Sequence, residues 1–570
     1  MSKKINKPLK NNKSIAPTLE QNSNYYLFYG AIVLLCVVCF YNSLSNGITN
    51  WDDNKYITNN PLLDAVKSGK ISNLFTQFFD GNYHPLALLS LSIDFSIGNG
   101  KPFWFHFTNV LLHIFNSILI FKILLQFVKN KWAVLIASLV FAAHTLHVES
   151  VTWLSERKDV LYSFFFLLAL YHYCIYATTE KTKNYFLSIL FFVLALFSKG
   201  QAVALAICIP LVDYYFSRKL LSKKVILEKL PYFILAFIFG VVALKAQSSS
   251  NYLAEFNFTF FQKIAIASFG LFQYISKTFL PINLSAFYPY PDMVTYALPN
   301  YFYTYLLVPV AFITLLFIYR KNKIIVFSLL FFVFNLVLVL QIISVGSAIT
   351  ADRYAYIPLL GFCLLIAYFI DTIQKEKKQL TTIGFAITCV YILFLSYNTI
   401  QRNKVWKDSL SLWTDVVAKH KNIPLAYYNL ATTQNELGDN ANAIHNFTSA
   451  IKLQNTDADS YHNRGNCYFL MQRYDSAYTD FSNAIKLKPQ FSDSYNNRGL
   501  TLLNLKRYEE AKKDFDAALQ LDANNNLAYT NRAIANYNLG NKEAACEDWQ
   551  RALNNGYTDA KTYLEKYCEN

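Results

Sequence analysis

Two adjacent carboxylates, Asp52 and Asp53, follow closely on a run of twenty uncharged residues, 25–44. That run, "YYLFYGAIVLLCVVCFYNSL", is long enough to cross the roughly 30 Å hydrocarbon layer of a bilayer. The stretch that holds the carboxylates, "NGITNWDDNKYITNNP", is also rich in Asn, Asp and Gly, which are typical of solvated turns. The pair is therefore either a surface turn or a functional group held at a membrane surface.

Further ionisable and polar side chains recur beside later apolar runs. A charged group at membrane depth costs roughly 2.5–3.5 kcal/mol on insertion scales, so such groups usually mark a functional cavity. For any one of them, solvation in a loop is an equally good explanation. Together, carboxylates beside several cations suit a base that acts on a hydroxyl next to a clamp for a phosphate. The candidates are His84, Asn109, His113, Glu149, Glu156, Arg157, Lys158, Asp159, Lys199, Asp352, Arg353 and Tyr356.

The composition indicates a membrane protein. Of 570 residues, 54% are hydrophobic and only 16% are charged, whereas a soluble protein is about 25% charged. The net charge of +15 comes from lysines bunched at the N-terminus and between apolar runs, a pattern that reflects membrane topology rather than nucleic-acid binding. The nine cysteines are scattered without metal-ligand spacing. We therefore expect no metal or other cofactor, although a divalent metal is left open.

The apolar runs predict eleven membrane-spanning helices, because a span needs about 20 apolar residues. A twelfth apolar stretch, 259–280, is interrupted by polar residues and is interpreted as an in-plane or re-entrant segment. The predicted spans are 25–45, 104–128, 132–150, 158–177, 184–198, 200–216, 230–248, 301–319, 323–345, 354–372 and 380–398.

Lysine and arginine in the short loops set the orientation, since cytoplasmic loops carry an excess of these residues. The basic N-terminal tail and the basic loops at 129–131, 180–183, 217–224, 320–323 and 374–378 are then all cytoplasmic. An odd number of spans places the C-terminus outside. The polar loops that hold the candidate residues fall on the same outer side.

The tail beyond residue 422 repeats with a period of 34 residues. Asn429, Asn463, Asn497 and Asn531 mark the period, as do aligned tyrosines, alanines and aromatic residues. This period and pattern are the tetratricopeptide signature, in which helical hairpins stack around a concave groove. The aligned aromatics are expected in the core. Polar residues are candidates for an acceptor groove, with hydrogen bonding between repeats as an equal alternative, and these residues are Asn463, Asn497, Arg464 and Arg498.

The predicted fold class is all-α, a polytopic membrane helical bundle followed by a tetratricopeptide α-solenoid. The predicted divisions are a cytoplasmic basic tail (1–24), a transmembrane domain (25–400), a linker helix (401–421) and an extracytoplasmic repeat domain (422–570).

Several motifs carry a resemblance to a known family. They are "WDDNKYITNNP", "YHPLALLSL", "HFTNVLLHIFN", "HTLHVESVTWLSERKDVL", "FSKGQAVAL" and "ADRYAYIPLLGF", followed by the tetratricopeptides. In residues and in motif order the chain resembles the transmembrane-and-tetratricopeptide O-mannosyltransferases, of the GT-C class of glycosyltransferases, over about residues 25–560. Two positions depart from the animal members: His84 stands in place of an arginine, and Gly200 in place of an acidic residue. Both leave the donor sugar open.

The resemblance implies a transfer of sugar from a polyprenyl-phosphate carrier to hydroxyl groups of an acceptor protein. Asp52 or Asp53, with a slight preference for Asp53, would be the base that takes the hydroxyl proton. The lipid phosphate would be held by Arg157, Lys158, Lys199 and Arg353. Supporting residues would be His84, Asn109, His113, Glu149, Asp159, Asp352 and Tyr356, of which Asp159 and Asp352 would orient the cations.

The expected partners are a polyprenyl-phosphate-linked sugar, an acceptor protein or peptide and the bilayer, with no nucleic acid. The expected location is a bacterial inner membrane with the repeats in the periplasm. Two alternatives are left open. A transporter would need paired broken helices in two halves, and a non-catalytic scaffold would recruit partners through the repeats alone.

Overall fold

The structure, a computed structural model, describes residues 25–249, 258–291, 297–342, 346, 348–376 and 378–568. The predicted cytoplasmic tail, 1–24, lies outside the described residues. The chain divides into two compact units between Asp408 and Ser409. The predicted linker 401–421 is not one element, because one helix runs on to Val405 and a new helix begins at Ser409.

The first unit is built from helices and one small sheet. Strand β1 (Tyr288–Pro289) pairs antiparallel with β2 (Ala348–Thr350). The helices are α1 (Tyr25–Phe40), α2 (Asn73–Thr76), α3 (Pro85–Gly98), α4 (Pro102–Phe127), α5 (Lys131–Ala142), α6 (Val148–Thr152), α7 (Arg157–Thr179), α8 (Thr182–Ser198), α9 (Ala204–Tyr215), α10 (Lys223–Leu227), α11 (Leu230–Ser248), α12 (Phe260–Phe279), α13 (Tyr301–Thr304), α14 (Leu307–Ile318), α15 (Lys323–Leu336), α16 (Leu359–Glu376) and α17 (Lys378–Val405).

Each of the eleven predicted spans contains a helix of this unit. Among the described residues, six helices are long and apolar enough to cross a membrane, and a seventh span results if the bent pair Lys131–Ala142 and Thr145–Thr152 is counted as one. Shorter apolar helices coincide with three more of the predicted spans. The predicted all-α class, apolar helices followed by a repeat solenoid, is confirmed, and the number of crossings stays a prediction.

Helix α12 occupies the stretch that was interpreted as non-crossing. It is one continuous helix that begins with a capping box, in which Thr259 and Gln262 bond each other's backbone. Ala265, Leu271 and Tyr274 face the interior while Phe261 and Phe272 are exposed. The helix is not among the six that are apolar enough to cross.

The segment between α1 and α4 is a folded cap with its own core, not a solvated turn. Tyr56, Leu63, Leu88 and Phe105 are buried together there. The indole ring of Trp51 stacks on Trp153, with ring centroids 4.6 Å apart. This packing holds the two aspartates in place.

A buried polar cluster, which sequence analysis did not predict, joins the C-terminal ends of α7 and α9. Asp213 is fully buried and pairs with Arg218 at 2.9 Å and with Lys229. Tyr173 on α7 donates to the same carboxylate at 3.0 Å. The cluster ties together helix ends that the sequence marks as cytoplasmic loops.

The second unit is a stack of helical hairpins. Phe447, Phe481, Phe515 and Trp549 are buried at equivalent positions, beside equivalent buried alanines, as the period predicts. The helices are α18 (Ser409–Lys419), α19 (Pro424–Glu436), α20 (Asn440–Leu453), α21 (Ala458–Leu470), α22 (Tyr474–Leu487), α23 (Ser492–Asn504), α24 (Tyr508–Leu521), α25 (Asn526–Asn538), α26 (Lys542–Asn554) and α27 (Ala560–Tyr567).

The last helix, α27, closes the stack. Its tyrosines Tyr563 and Tyr567 stack on Trp549 with centroids 5.4 and 5.7 Å apart. A disulfide joins Cys546 on α26 to Cys568 just after α27. The scattered cysteines of the sequence gave no indication of this bond.

Candidate active site

Asp53 is held by four donors. Its carboxylate accepts from the backbone N–H of Thr49 at 3.1 Å, the Thr49 hydroxyl at 2.8 Å, the Ser155 N–H at 2.9 Å and the Ser155 hydroxyl. The residue is 1% exposed. Burial raises the pKa of Asp53, and these hydrogen bonds offset part of the rise. The carboxylate therefore fastens the cap to the turn before α7 and has little capacity left for a substrate.

Asp52 differs from its neighbour in exposure and in hydrogen bonding. It is half-buried, and within the described parts of the chain no donor lies at hydrogen-bond distance from its carboxylate. Burial raises the pKa of Asp52, and the positive charge of Lys158 offsets part of the rise. A carboxylate that is accessible, unbonded and of raised pKa has the properties of a general base.

Three cations converge and form what we term the cation array: Lys158, Lys199 and Arg353. Two of them, Lys158 and Arg353, act electrostatically on Asp52. They surround the carboxylate of Glu156. Lys158 Nζ lies 3.4 Å from Glu156 Oε1, Arg353 Nε lies 3.4 Å from the same oxygen, and Lys199 Nζ lies 3.6 Å from Oε2. All three candidates were predicted, and the structure brings them together.

Two members of the array are tightly held by other carboxylates. Lys199 pairs with Asp159, as predicted for Asp159. Arg353 pairs with Glu149 through its side chain and donates its backbone N–H to Glu149 at 3.1 Å. These pairs fix the geometry of both cations, since a buried charge needs a partner.

Lys158 is the most available cation of the array. Glu156 is its only carboxylate within 4 Å among the described residues, and its ammonium lies 4.8 Å above the ring of Tyr56. Because a phosphate must compete with the existing partners of a cation, Lys158 is the member best placed to bind one.

Arg157, which was assigned to the phosphate, is held by protein partners in the structure. The guanidinium donates to Ser90 at 2.6 Å, Asp94 at 2.6 Å, Asn109 at 2.5 Å and the carbonyl of Phe105 at 2.7 Å. It is fully buried. Arg157 therefore binds α3 and α4 to α7, and Asn109 supports it there.

Asp352 likewise has a partner other than the expected one. It accepts a hydrogen bond from the Tyr288 hydroxyl at 2.8 Å, and Lys277 Nζ lies 3.5 Å away. Lys277 comes from α12 and its ammonium lies 3.3 Å from the centre of the Tyr288 ring. Asp352 orients this lysine and the β1 strand rather than the cation array.

His113 and Tyr356 lie inside the bundle. The Tyr356 hydroxyl and His113 Nδ1 are 2.7 Å apart, and His113 Nε2 lies 3.1 Å from the carbonyl oxygen of Ala142. Both side chains are buried. They link α4 to the segment after β2 and have a supporting role. His84 is buried at the start of α3, where its ring stacks on Tyr56.

Sequence reasoning gave no role to two charged residues of this region. Glu156, one of several charged residues in the motif "SERKD", is the carboxylate at the centre of the array. Lys277 is a lysine on an otherwise apolar face of α12. The available signal in the sequence was an ionisable residue in an amphipathic stretch beside the outer loops. In the described part of the chain no group of three or more His, Cys, Asp or Glu side chains is arranged to hold a metal ion.

The polar candidates of the repeat groove are engaged within the solenoid. Asn463 donates to the Tyr428 hydroxyl at 3.0 Å, and Asn497 donates to Asn466 at 2.9 Å, each across a repeat boundary. Arg464 forms a two-pronged ion pair with Asp480 at 2.7 and 2.8 Å.

Arg498 and Arg532 repeat that arginine–aspartate pair with Asp514 and Asp548. Of the two alternatives for the polar positions, hydrogen bonding within and between repeats is the one observed.

Comparisons with known proteins give two results. Family models of the tetratricopeptide repeat match residues 425–457, 458–491 and 492–525. The crystal structure of MamA resembles this chain with a TM-score of 0.26 and 20% identity, covering 27% of this chain and 90% of MamA.

The resemblance drawn from the motifs is confirmed by relatives that align over most of the chain. Protein O-mannosyl-transferase F38B6.6 of Caenorhabditis elegans is 24% identical over 72% of this chain and 61% of its own length. Protein O-mannosyl-transferase TMTC3 of Mus musculus is 23% identical over 78% and 53%, and TMTC1 of Homo sapiens is 22% identical over 76% and 56%. The chain spans about half to three-fifths of the length of these curated relatives.

Proposed function

We propose that this chain is a membrane glycosyltransferase that moves a sugar, mannose by its relatives' names, from a polyprenyl-phosphate carrier to a hydroxyl group of an acceptor protein. The observation that carries the proposal is the position of Asp52. A half-buried carboxylate of raised pKa lies near Lys158 and Arg353, and these two cations converge with Lys199 on Glu156. This is the arrangement that a hydroxyl nucleophile and a phosphate leaving group require.

The proposed reaction assigns a task to each group. Asp52 takes the proton of the acceptor hydroxyl, and the hydroxyl oxygen bonds to the anomeric carbon of the donor sugar. The bond between that carbon and the phosphate oxygen breaks, and its electrons stay on the phosphate. Lys158, supported by Lys199 and Arg353, stabilises the charge that develops on the leaving phosphate.

Asp53 and Arg157 are proposed to position the residues that contact the substrates, without contacting the substrates themselves. Asp53 positions the cap that carries Asp52, and Arg157 positions the start of α7, which carries Lys158. The preference for Asp53 as the base is therefore replaced by a proposal for Asp52. The cation array supplies positive charge for a leaving phosphate, so we infer that no divalent metal is required. Turnover should be unchanged by a chelator such as EDTA.

The second unit is proposed to recruit the acceptor protein. Tetratricopeptide solenoids offer an extended surface for partners. The Cys546–Cys568 disulfide supports an oxidising, extracytoplasmic compartment for this unit, in agreement with the orientation that the basic loops predict. We propose a bacterial inner membrane, with the repeats in the periplasm and undecaprenyl phosphate as the carrier.

The test is turnover by the purified, reconstituted chain. Protein in lipid nanodiscs is incubated with mannosyl polyprenyl phosphate and a hydroxyl-bearing acceptor, and both lipid-phosphate release and sugar on the acceptor are measured. We expect both products from the wild type. A folded protein that binds partners through its repeats but releases no lipid phosphate from any sugar donor would instead support a non-catalytic scaffold.

A further inference from the structure

Two side chains beside the cation array are buried, yet each has a polar atom without a hydrogen-bond partner in the described structure. They are Tyr56, through its hydroxyl, and His84, through Nε2. Tyr56 is 1% exposed and His84 is 3% exposed. Other buried polar atoms of the described chain also lack a partner, but these two belong to adjacent side chains beside the cation array. Because an unpaired buried polar group is costly, we look for a ligand that would pair both.

The two side chains form one surface of the cap. Their rings stack with centroids 5.5 Å apart and an angle of 20° between planes. Phe79 packs edge-on against Tyr56 at 5.0 Å. The ammonium of Lys158 lies 4.8 Å above the same ring. The ring faces are therefore covered, and the polar edges, themselves buried, are the parts that still lack a partner.

The charges of the proposed active site act electrostatically on the same two groups. The positive charge of Lys158 and the negative charges of Asp52 and Glu156 act on the Tyr56 hydroxyl. Lys158 acts on His84 as well, and together with burial it lowers the pKa of His84 to about 3. The imidazole is consequently neutral at physiological pH, with one nitrogen that donates and one that accepts.

The chemistry of the pair fits neither a phosphate nor a cation. A phosphate is served by the cation array, and two neutral groups would add little to it. A phenol and a neutral imidazole can each donate or accept a hydrogen bond. Their natural complement is a ligand that also does both, namely a polyhydroxylated one.

We propose that Tyr56 and His84 form the sugar subsite, where Tyr56 Oη and His84 Nε2 bind hydroxyl groups of the pyranose that the lipid phosphate carries. This inference rests on the proposed function and adds the residues that select the sugar. A site built to hydrogen-bond a hydroxyl rejects a sugar that lacks it or holds it in another orientation, because its buried polar groups are then left unpaired.

The experiment compares wild type with Tyr56→Phe and His84→Phe, which keep the stacked rings and remove only the polar atoms. Two quantities are measured: kcat/KM for mannosyl and for glucosyl polyprenyl phosphate, and the Kd of the sugar-free polyprenyl phosphate. Each variant should lose about 10- to 100-fold in kcat/KM for the preferred donor. The preference between the two sugars should shrink, while the Kd of the sugar-free lipid stays within about twofold.

Tyr232→Phe is the matched control. Tyr232 is also buried, and its hydroxyl donates to Ser188 at 2.7 Å between α11 and α8. The Tyr232→Phe substitution removes a phenolic hydroxyl, as Tyr56→Phe does, but this hydroxyl already has a hydrogen-bond partner within the protein. Both kcat/KM values should therefore stay at the wild-type level.

Two outcomes would overturn the sugar subsite while wild type remains active. One is wild-type kcat/KM and sugar preference in both variants. The other is an equal loss of affinity for the sugar-free lipid, which would assign the pair to the phosphate or to the fold. A wild type that turns over neither donor contradicts the proposed function, and the subsite with it.

Discussion

At the scale of single residues, the candidate site has a buried carboxylate among its three cations. Glu156 is 1% exposed and shares its carboxylate among Lys158, Lys199 and Arg353 at 3.4–3.6 Å. These separations are longer than a strong charge-assisted hydrogen bond, which is about 2.7–2.9 Å. Glu156 thus keeps the three cations together without saturating them, and it competes with any phosphate that binds there.

This arrangement predicts opposite effects on binding and turnover in Glu156→Gln. The variant keeps the shape of the side chain and removes its charge, so the array becomes more positive. We expect KM for the donor to fall by about 3- to 10-fold and kcat to fall as well, because the lipid phosphate product leaves more slowly. Steady-state kinetics with a polyprenyl-phosphate sugar measures both.

Asp213→Asn is the control for Glu156→Gln. It makes the same carboxylate-to-amide change in the buried cluster at the opposite end of α9. It is expected to lower the melting temperature while leaving the donor KM unchanged. An increase of KM in Glu156→Gln would show that the carboxylate holds the cations in place and does not compete with the substrate.

At the scale of elements, the sequence was sufficient for what depends on local patterns. Apolar runs located α1, α4, α7 and the other long helices, and the 34-residue period located the repeats, because both signals lie within one element. Arg157 and Lys158 show that local patterns do not predict which way a side chain points. Successive residues on a helix are about 100° apart. When α7 begins at Arg157, the two neighbouring cations therefore point to different places.

For the same reason, the sequence did not predict the different roles of the two aspartates or the contact of Lys277. Whether Asp52 or Asp53 faces the array depends on the hydrogen bonds of Asp53 to Ser155, which is 102 residues away in sequence. The contact of Lys277 with Asp352 also joins segments that are far apart along the chain. Such contacts are fixed by the packing of the cap and α12 onto the bundle, and no local pattern encodes them.

The closing element of the repeat unit supports a prediction on stability. The Cys546–Cys568 disulfide closes a loop of 22 residues and holds α27 on the stack. Replacing both cysteines by serine should destabilise the repeat unit by about 3 kcal/mol, since the unfolded chain gains freedom. Thermal unfolding followed by circular dichroism measures this. A reductant should destabilise wild type similarly and leave the double variant unaffected.

At the scale of the whole molecule, the account depends on which side of the membrane each unit occupies. The basic loops predict an external repeat unit, and the disulfide is of a kind that persists in oxidising compartments. A reporter that is active only outside the cytoplasm should be active when fused after Leu453. Activity from a cytoplasm-only reporter at the same residue would contradict the orientation, and with it an external active site.

The division of labour between the units gives a further prediction. Deleting residues 409–570 removes the second unit and leaves α17 and the contacts of the cap intact, including the 2.8 Å bond from Gly47 to Lys407. Transfer to a small acceptor or to water should persist within a few fold, while modification of protein falls strongly. Loss of donor cleavage in a truncated chain that still folds would show that the repeats take part in the chemistry.

The central claim is that Asp52 is the base beside the cation array, and the most direct test is the transfer rate of Asp52→Asn. We predict a loss of about 10²- to 10⁴-fold in kcat. The melting temperature should be unchanged or higher at neutral pH. Burial raises the folded-state pKa of Asp52, so its charge lowers stability once the pH exceeds that pKa.

Asp53→Asn, measured alongside, should instead lower the melting temperature, because an amide cannot accept all four of the hydrogen bonds that Asp53 receives. If Asp52→Asn transfers sugar within a few fold of wild type while its fold and donor affinity are intact, Asp52 is not the base and the central claim is wrong.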